Sequence, residues 1–269
     1  MDKSIIEQCN DIDKREKRAK RKKKKDKESL PKPFKKILAI KNPDKVGAEK
    51  WTKNRAKNLA NFPSPQRILL LGACGTGKST LIKNLIINQR PMFEEVFLIH
   101  QDAKHTKEYD DLDPTDVLTD VPPIQFFNLD GKFKKRAVII DDLELTSADV
   151  ERKKNLAILF RYGSTHKGLT VFFAHQSFFD VPTLVKKMAS VFIIWKPRAL
   201  NEIGLIENRT GLQKGELAEL FDKYATKHRD SICIDLSKDS PAKLRLNVFQ
   251  PIHQSDSDDS DSSESSDSD

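Results

Sequence analysis

Five short, nearly continuous apolar runs lie in the middle of the chain, each flanked by polar or glycine-rich sequence. Apolar runs of this length without alternation are typical of parallel strands buried on both faces of a sheet. We therefore predict strands over residues 67–71, 95–100, 137–141, 169–175 and 191–195. A weaker apolar signal predicts another strand at residues 124–127.

The segments between these runs carry apolar residues at helical spacing. Helices are expected from the end of the glycine-rich segment through Ile87, near residues 47–61, and over residues 148–162, 182–188, 199–208 and 214–225. Residues 231–236 and 243–249 are expected to form a closing hairpin. Strands that alternate with helices in this order predict an α/β fold, a mainly parallel sheet with helices on both faces.

A phosphate-binding sequence follows the first predicted strand. It reads Gly72-Ala73-Cys74-Gly75-Thr76-Gly77-Lys78-Ser79, followed by Thr80, and fits GxxxxGK[ST] at every fixed position. The glycines let successive backbone N–H groups face one anion, and the following helix adds its N-terminal dipole. Lys78 is expected to reach the β- and γ-phosphates of ATP, and the Ser79 hydroxyl is expected to coordinate Mg²⁺. Cys74 is interpreted as a small filler of the loop.

Two carboxylates end the third apolar run, as Asp141 and Asp142. Asp141 is the expected Mg²⁺ ligand, directly or through water. Asp142 is then placed to polarise the attacking water, and Glu144 competes with it for the role of base. Strand alternation points Asp142 away from Asp141, so spacing alone leaves both acids open. Together these features predict a P-loop nucleoside triphosphatase that hydrolyses ATP.

Charge is distributed unevenly within a net charge of +8. Residues 14–27 hold eleven Lys and Arg against two acids, and residues 255–269 hold seven acids and no base. Both ends lack the apolar residues that would offset the entropy of ordering, so we expect a disordered basic arm over 1–33 and a disordered acidic tail over 255–269. The ATPase domain is then expected over 34–254, with a basic surface that suits a polyanionic partner.

The three cysteines, Cys9, Cys74 and Cys233, have neither metal-ligand nor CxxC spacing. An odd count without such spacing favours a reducing compartment over a disulfide framework. No apolar run approaches 18 residues, so no membrane-spanning helix is expected. The basic arm is read as a nuclear import signal or as a contact for nucleic acid, and the acidic tail as a kinase substrate or a docking segment.

Combined in order, the motifs resemble the FtsK–HerA superfamily, and within it the viral genome-packaging ATPases of the poxvirus-like branch and its adintovirus and Polinton relatives. The resemblance spans roughly residues 66–250. It is carried by Gly72–Ser79, Ile139–Asp142, the stretch from Gly163 to Gln176, the segment from Val191 to Lys196-Pro197-Arg198, and the closing pair of strands.

The resemblance implies a RecA-like sheet in which the strand ending before Gln176 lies between the Gly72–Ser79 and Asp141 strands. Gln176 would then orient water or sense hydrolysis beside the γ-phosphate. It also implies a homo-oligomeric ring, pentameric or hexameric, that pulls double-stranded DNA into a preformed capsid built of viral capsid proteins. The expected location is the host nucleus or a cytoplasmic virus factory, with the virion as a third site.

Ring-shaped ATPases insert an arginine from a neighbouring subunit to stabilise transition-state charge. Arg198 is the preferred candidate here, ahead of Arg161 and Arg209. His166 and His175 lack partners at ligand spacing and are expected to be structural or packed at an interface. Two other functions remain open: a translocase or helicase of the same superfamily in replication or segregation, and a nucleotide-dependent DNA-binding scaffold.

Overall fold

A computed structural model describes residues 58–103, 106–127, 135–145, 150–238 and 240–253, all of which belong to one compact unit. The predicted arm over 1–33 and the tail over 255–269 lie outside the described residues, as does most of the helix predicted near 47–61. Residues 58–61 of that helix form a turn instead, in which the Asn61 N–H donates to the Asn58 carbonyl at 2.9 Å. Pro63 and Pro65, just beyond, disfavour helix in this region.

Across the described residues, nine strands form one sheet in the order β3-β2-β4-β5-β1-β6-β7-β8-β9. The strands are β1 (Arg67–Leu71), β2 (Glu95–His100), β3 (Asp116–Leu118), β4 (Arg136–Asp141), β5 (Leu169–His175), β6 (Val191–Trp195), β7 (Ser231–Asp235), β8 (Leu244–Leu246) and β9 (Gln250–Pro251). The pairs from β3 to β6 are parallel, and those from β6 to β9 are antiparallel. The predicted mainly parallel sheet and its closing hairpin are confirmed.

Helices lie between these strands close to the positions that the apolar spacing predicts, although the helix predicted over 148–162 ends as an α-helix at Ile158. They are α1 (Lys78–Asn88), α2 (Val150–Ile158), α3 (Ser164–Lys167), α4 (Thr183–Met188), α5 (Leu200–Thr210) and α6 (Glu216–Lys223). A π-helical segment, Leu159–Gly163, joins α2 to α3. No helix within the described ranges is both long enough and apolar enough to cross a bilayer.

Strand alternation divides the core between the two faces of the sheet. Leu69 and Leu71 of β1 contact the same cluster as buried residues of α2, α4, α5 and α6. Ile68 and Leu70, on the opposite face, belong to a second cluster with Ile82 of α1. Successive side chains of a strand point to opposite faces, so a continuous apolar run is what a sheet covered on both sides requires.

Strand β5 lies between β1 and β4, as the interpretation of Gln176 required. Leu71 pairs with His175 on one side of β5, and Ile140 pairs with Phe173 on the other. All three strands are parallel, so their carboxyl ends meet at one edge of the sheet. That edge is where the chain places its polar residues.

The strand predicted at 124–127 is wrong: Ile124–Phe127 forms a 3-10 turn. Its Phe127 is buried and packs edge-on against Phe97 with ring centroids 5.2 Å apart. The apolar signal therefore reflects the burial of Phe127 in the core and not a strand. The short edge strand Asp116–Leu118 was missed because three partly exposed residues carry no apolar run.

Candidate active site

The loop between β1 and α1 has the backbone geometry that its glycines permit. Gly75 and Gly77 have φ of 76° and 99°, in the left-handed region that other residues avoid. Gly72 is required for a different reason, because a Cβ there would lie 2.9 Å from Thr76 Oγ1 and 3.0 Å from Trp195 Cβ. The Thr76 hydroxyl donates to the Ala73 carbonyl at 2.9 Å. The loop thus packs against Trp195 at Gly72, and its left-handed glycines at 75 and 77 give it a curved backbone.

Lys78 opens α1 and is buried. Its ammonium donates to the carbonyls of Gly72 at 2.7 Å and Ala73 at 3.0 Å. Burial lowers the pKa of Lys78 from its ordinary 10.5, and the nearby Asp141 carboxylate opposes that shift. No described side chain caps this helix, and the N–H groups of a first helical turn have no acceptors within the helix. The lysine and the helix N-terminus together provide positive potential for an anion.

Ser79 and Asp141 meet across the sheet edge. The Ser79 hydroxyl donates to Asp141 Oδ2 at 2.8 Å, and the Tyr109 hydroxyl donates to the same oxygen at 2.6 Å. The other carboxylate oxygen, Oδ1, accepts the Asp142 N–H at 3.0 Å. Asp141 is only 5% exposed, so these three donors fix its orientation.

The two acids proposed as the base follow β4 in an irregular segment. Asp142 has φ of 51°, which turns the chain out of the strand, and its side chain is exposed. Glu144 is also exposed, and its backbone N–H donates to Gln101 Oε1 at 3.1 Å. Both acids line the same cavity as Lys78. Because β4 ends at Asp141 and Asp142 has a positive φ, the side-chain alternation of a strand does not apply to Asp142.

The end of β5 carries His175 and Gln176. Gln176 is exposed and lines the cavity, next to the edge that holds Asp141. His175 Nδ1 lies 3.0 Å from the Ser177 carbonyl oxygen, and burial lowers the pKa of this histidine. Ser177 also donates through its hydroxyl to Glu202 Oε1 at 2.6 Å, and the Phe178 N–H donates to the same oxygen at 3.0 Å. Glu202 of α5 therefore anchors the loop that presents Gln176.

The three candidate arginines occupy different environments. Arg198 is exposed and lines a second cavity of about 240 Å³, which shares Gln176 and Trp195 with the first. Arg209 donates through Nε to the Lys186 carbonyl at 2.6 Å and through Nη2 to that of Lys187, which joins α5 to the end of α4. Arg161 is exposed in the π-helical segment, away from the residues that line either cavity. Arg209 thus has a structural role, and the action of Arg198 on a neighbouring subunit stays a prediction.

One cavity of about 780 Å³ unites these groups, within the range of small-molecule sites. It extends from the glycine-rich loop to both sides along the sheet edge. The sequence-predicted residues that line it are Cys74, Gly75, Thr76, Gly77, Lys78, Ser79, Thr80, Asp141, Asp142, Glu144 and Gln176. Gly72 and Ala73 line the second cavity, as Arg198 does.

Sequence reasoning missed several residues of this site. Tyr109 lies in a polar segment without periodicity, and only its burial against Asp141 reveals it. Trp195 was recognised as the end of a strand but not as the residue that packs on Gly72. Arg229 and Phe249 line the cavity from beyond β6. No sequence signal identifies the latter two, because the antiparallel addition of β7 and β8 brings them to the edge.

The donor set fits Mg²⁺. A hydroxyl from the first turn of α1 and a carboxylate from the end of β4 are hard oxygen ligands. Mg²⁺ is commonly held by one or two carboxylates together with substrate phosphates. Within the described ranges no group of three or more His, Cys, Asp or Glu has the arrangement of a metal cage.

No protein-family model and no curated protein matches this chain. Among solved structures with a similar arrangement of elements is the genome packaging NTPase B204 from Sulfolobus turreted icosahedral virus 2 in complex with ATP-gammaS. It is 19% identical, with a TM-score of 0.49, and the match covers 70% of this chain and 98% of that one. Another is the cytoplasmic domain of the type VII secretion ATPase EccC from Thermomonospora curvata, at 13% identity and a TM-score of 0.47, covering 74% of this chain and 27% of that one.

Proposed function

We propose that this chain hydrolyses ATP with Mg²⁺. The observation that carries the proposal is the contact of Ser79 with Asp141 at 2.8 Å, directly beside a lysine held over a glycine-rich loop. A chance glycine-rich turn would not bring a hydroxyl and a buried carboxylate together at the carboxyl-terminal edge of a parallel sheet. In P-loop enzymes this arrangement binds the β- and γ-phosphates and the metal.

Each residue has a distinct task in this proposal. The backbone N–H groups of Gly75–Ser79 and the Lys78 ammonium bind the phosphates and stabilise the charge that develops during phosphoryl transfer. Ser79 and Asp141 would hold Mg²⁺, which neutralises phosphate charge when bound. Asp142 orients the attacking water and accepts its proton, with Glu144 as the competing acid. Gln176 lies on the neighbouring strand end and positions the same water.

We further propose that the energy drives translocation of double-stranded DNA, in the manner of a genome-packaging motor of the FtsK–HerA superfamily. The order of motifs from Gly72–Ser79 to Lys196-Pro197-Arg198 supports this, as does the net charge of +8. A motor must grip phosphates without reading bases, and basic surface supplies that grip. A ring of identical chains, with Arg198 reaching a neighbour's nucleotide, and delivery into a viral capsid complete the proposal.

The test is the ATPase rate of the full chain with and without double-stranded DNA, together with the mass of the assembled particle. Lys78→Ala is expected to abolish DNA-stimulated turnover. Lys83→Ala is the matched control, because Lys83 lies on the same helix and pairs with Asp111 at 3.2 Å in an exposed position. Unchanged turnover in Lys78→Ala would refute the site. Strand separation in a duplex-unwinding assay would favour a helicase over a packaging motor.

A further inference from the structure

The candidate cavity reaches well past the groups that act on phosphate. Asp141 and Gln176 follow β4 and β5, on one side of the β1 loop. On the other side, Trp195 ends β6, pairs with Ser231 of β7, and is followed along the edge by the turn after β8. Arg229, Asn247 and Phe249 line the cavity on that side. None of them takes part in the phosphate chemistry described above.

This geometry fixes the direction of a bound nucleotide. The terminal phosphate must face Asp141 and Gln176 if they are to act on it, and the glycine-rich loop holds the phosphates in between. The nucleoside therefore extends toward β6, β7 and β8. We infer that the nucleobase stacks on the ring of Phe249, with the Arg229 guanidinium beside it. This inference rests on the proposed function and identifies the nucleoside subsite of the same cavity.

The Phe249 ring is presented by a strained turn. Asn247 and Val248, which precede it, have φ of 51° and 70°, although neither is glycine. Left-handed backbone is uncommon for any such residue and an outlier for a β-branched valine. Val248 is fully buried in the core cluster, while Phe249 is 46% exposed. Burial of Val248 thus holds the turn in a conformation that leaves an aromatic ring at the cavity, and strain of this kind is concentrated at functional sites.

The turn is fixed to the rest of the site by a chain of hydrogen bonds. Asn247 Oδ1 accepts the Ser231 N–H at 2.8 Å, and Asn247 Nδ2 donates to Asp230 Oδ1 at 3.0 Å. The Trp195 indole N–H donates to the Arg229 carbonyl at 3.0 Å. Since Trp195 also packs on Gly72, the stacking surface is rigidly connected to the phosphate loop. A preorganised platform of this kind lowers the ordering cost of binding.

The same contacts define how selective the subsite is. The Asn247 amide already bonds to Ser231 and Asp230 through its oxygen and its nitrogen, so it is not placed to read a base edge. An aromatic face stacks on any base, because every base has a π-face. We therefore expect ATP and GTP to bind with affinities within about fivefold of each other, which corresponds to less than about 1 kcal/mol.

The experiment measures equilibrium binding of ATP, GTP and inorganic tripolyphosphate, each with Mg²⁺, to the full chain. Phe249→Leu is expected to weaken both nucleotides by roughly tenfold and to leave tripolyphosphate affinity unchanged, because stacking alone is lost. Phe249→Trp is expected to retain wild-type nucleotide affinity. Phe126→Leu, at an exposed phenylalanine remote from the cavity lining, is the matched control and should change nothing.

Two results would overturn the subsite. One is wild-type ATP affinity in Phe249→Leu, and the other is an equal loss of ATP and tripolyphosphate, which would indicate a damaged loop instead of a lost stack. Either result would leave the proposed ATPase intact, provided that wild-type protein binds both ligands and Lys78→Ala binds neither. If the wild-type chain bound neither ligand, the proposed function would fail, and this inference with it.

Discussion

The hydroxyl of Tyr109 donates to Asp141 Oδ2 at 2.6 Å, the same oxygen that accepts the Ser79 hydroxyl. Burial and the adjacent carboxylate both raise the pKa of Tyr109, so its proton stays in place at any physiological pH. A neutral, permanently protonated phenol beside the proposed metal ligand Asp141 would orient that ligand without competing for the metal.

Tyr109→Phe removes only this hydrogen bond. We expect the Mg²⁺ concentration that gives half-maximal ATPase activity to rise roughly tenfold, since loss of a residue that orients a metal ligand typically costs ten- to a hundredfold. A Mg²⁺ titration of the rate measures it. Tyr162→Phe, at a tyrosine that is 44% exposed, is the control. An unchanged Mg²⁺ requirement in Tyr109→Phe would show that Asp141 does not depend on this partner.

Gly72→Ala is predicted to damage both stability and nucleotide binding. The added Cβ meets Thr76 Oγ1 at 2.9 Å and the Cβ of the buried Trp195 at 3.0 Å, so the backbone of β6 or of the loop must shift. Overpacking of this kind costs about 1–3 kcal/mol in the free energy of unfolding. Gly204→Ala in α5 meets nothing within 4 Å and should stabilise the protein by about 0.5–1 kcal/mol. Urea denaturation compares the two, and equal effects would contradict the packing argument.

The lowered pKa of His175 is expected to make the stability of the fold depend on pH. Burial, assisted by the Lys78 ammonium, lowers its pKa from 6.5, so the unfolded chain takes up a proton at a higher pH than the folded chain does. The contribution of His175 to the free energy of unfolding is therefore complete above pH 6.5 and is lost as pH falls through that value toward the folded pKa. His175→Gln should flatten this dependence in urea titrations, whereas the same change at exposed His228 should not. Parallel curves for wild type and His175→Gln would exclude this assignment.

Substitutions of Arg209, in α5, and of Arg198, just before α5, are predicted to have different effects. Arg209→Ala removes the bonds to the Lys186 and Lys187 carbonyls and should lower the melting temperature. Arg198→Ala removes an exposed side chain and should leave the melting temperature unchanged. If the proposed ring forms, this change should lower its ATPase rate at least a hundredfold. Mixing inactive Arg198→Ala chains with inactive Lys78→Ala chains should restore partial turnover. No recovery in the mixture would argue against action in trans.

Much of the sheet could be predicted because buried parallel strands carry a strong local signal. The runs at Arg67–Leu71 and Val191–Trp195 are apolar at nearly every position, which leaves few alternatives. Ile124–Phe127 carried a weaker apolar signal for a different reason, since Phe127 is buried against Phe97. Periodicity reports that a residue is buried and not which element buries it.

The candidate site likewise contains residues that the sequence predicts and residues that it does not. Lys78, Ser79 and Asp141 belong to motifs whose spacing encodes their chemistry, and the structure brings them together at one edge. Their catalytic roles, and those of Asp142, Gln176 and Arg198, stay predictions. Tyr109 and Phe249 could not be predicted, because each depends on a segment that returns to the site from elsewhere in the chain.

The central position of β1 has a consequence for how the protein is made. Arg67 pairs with Val171 and Ile68 with Val191, each more than a hundred positions later in the chain. A ribosome that adds about 5–20 residues per second leaves β1 without neighbours for at least about five seconds. During that interval the apolar Ile-Leu-Leu-Leu run of β1 is exposed. The phosphate-binding loop is not yet held in its folded conformation, so ATP cannot bind and stabilise it. A nascent chain that stalls before Trp195 should therefore need a chaperone rather than its nucleotide.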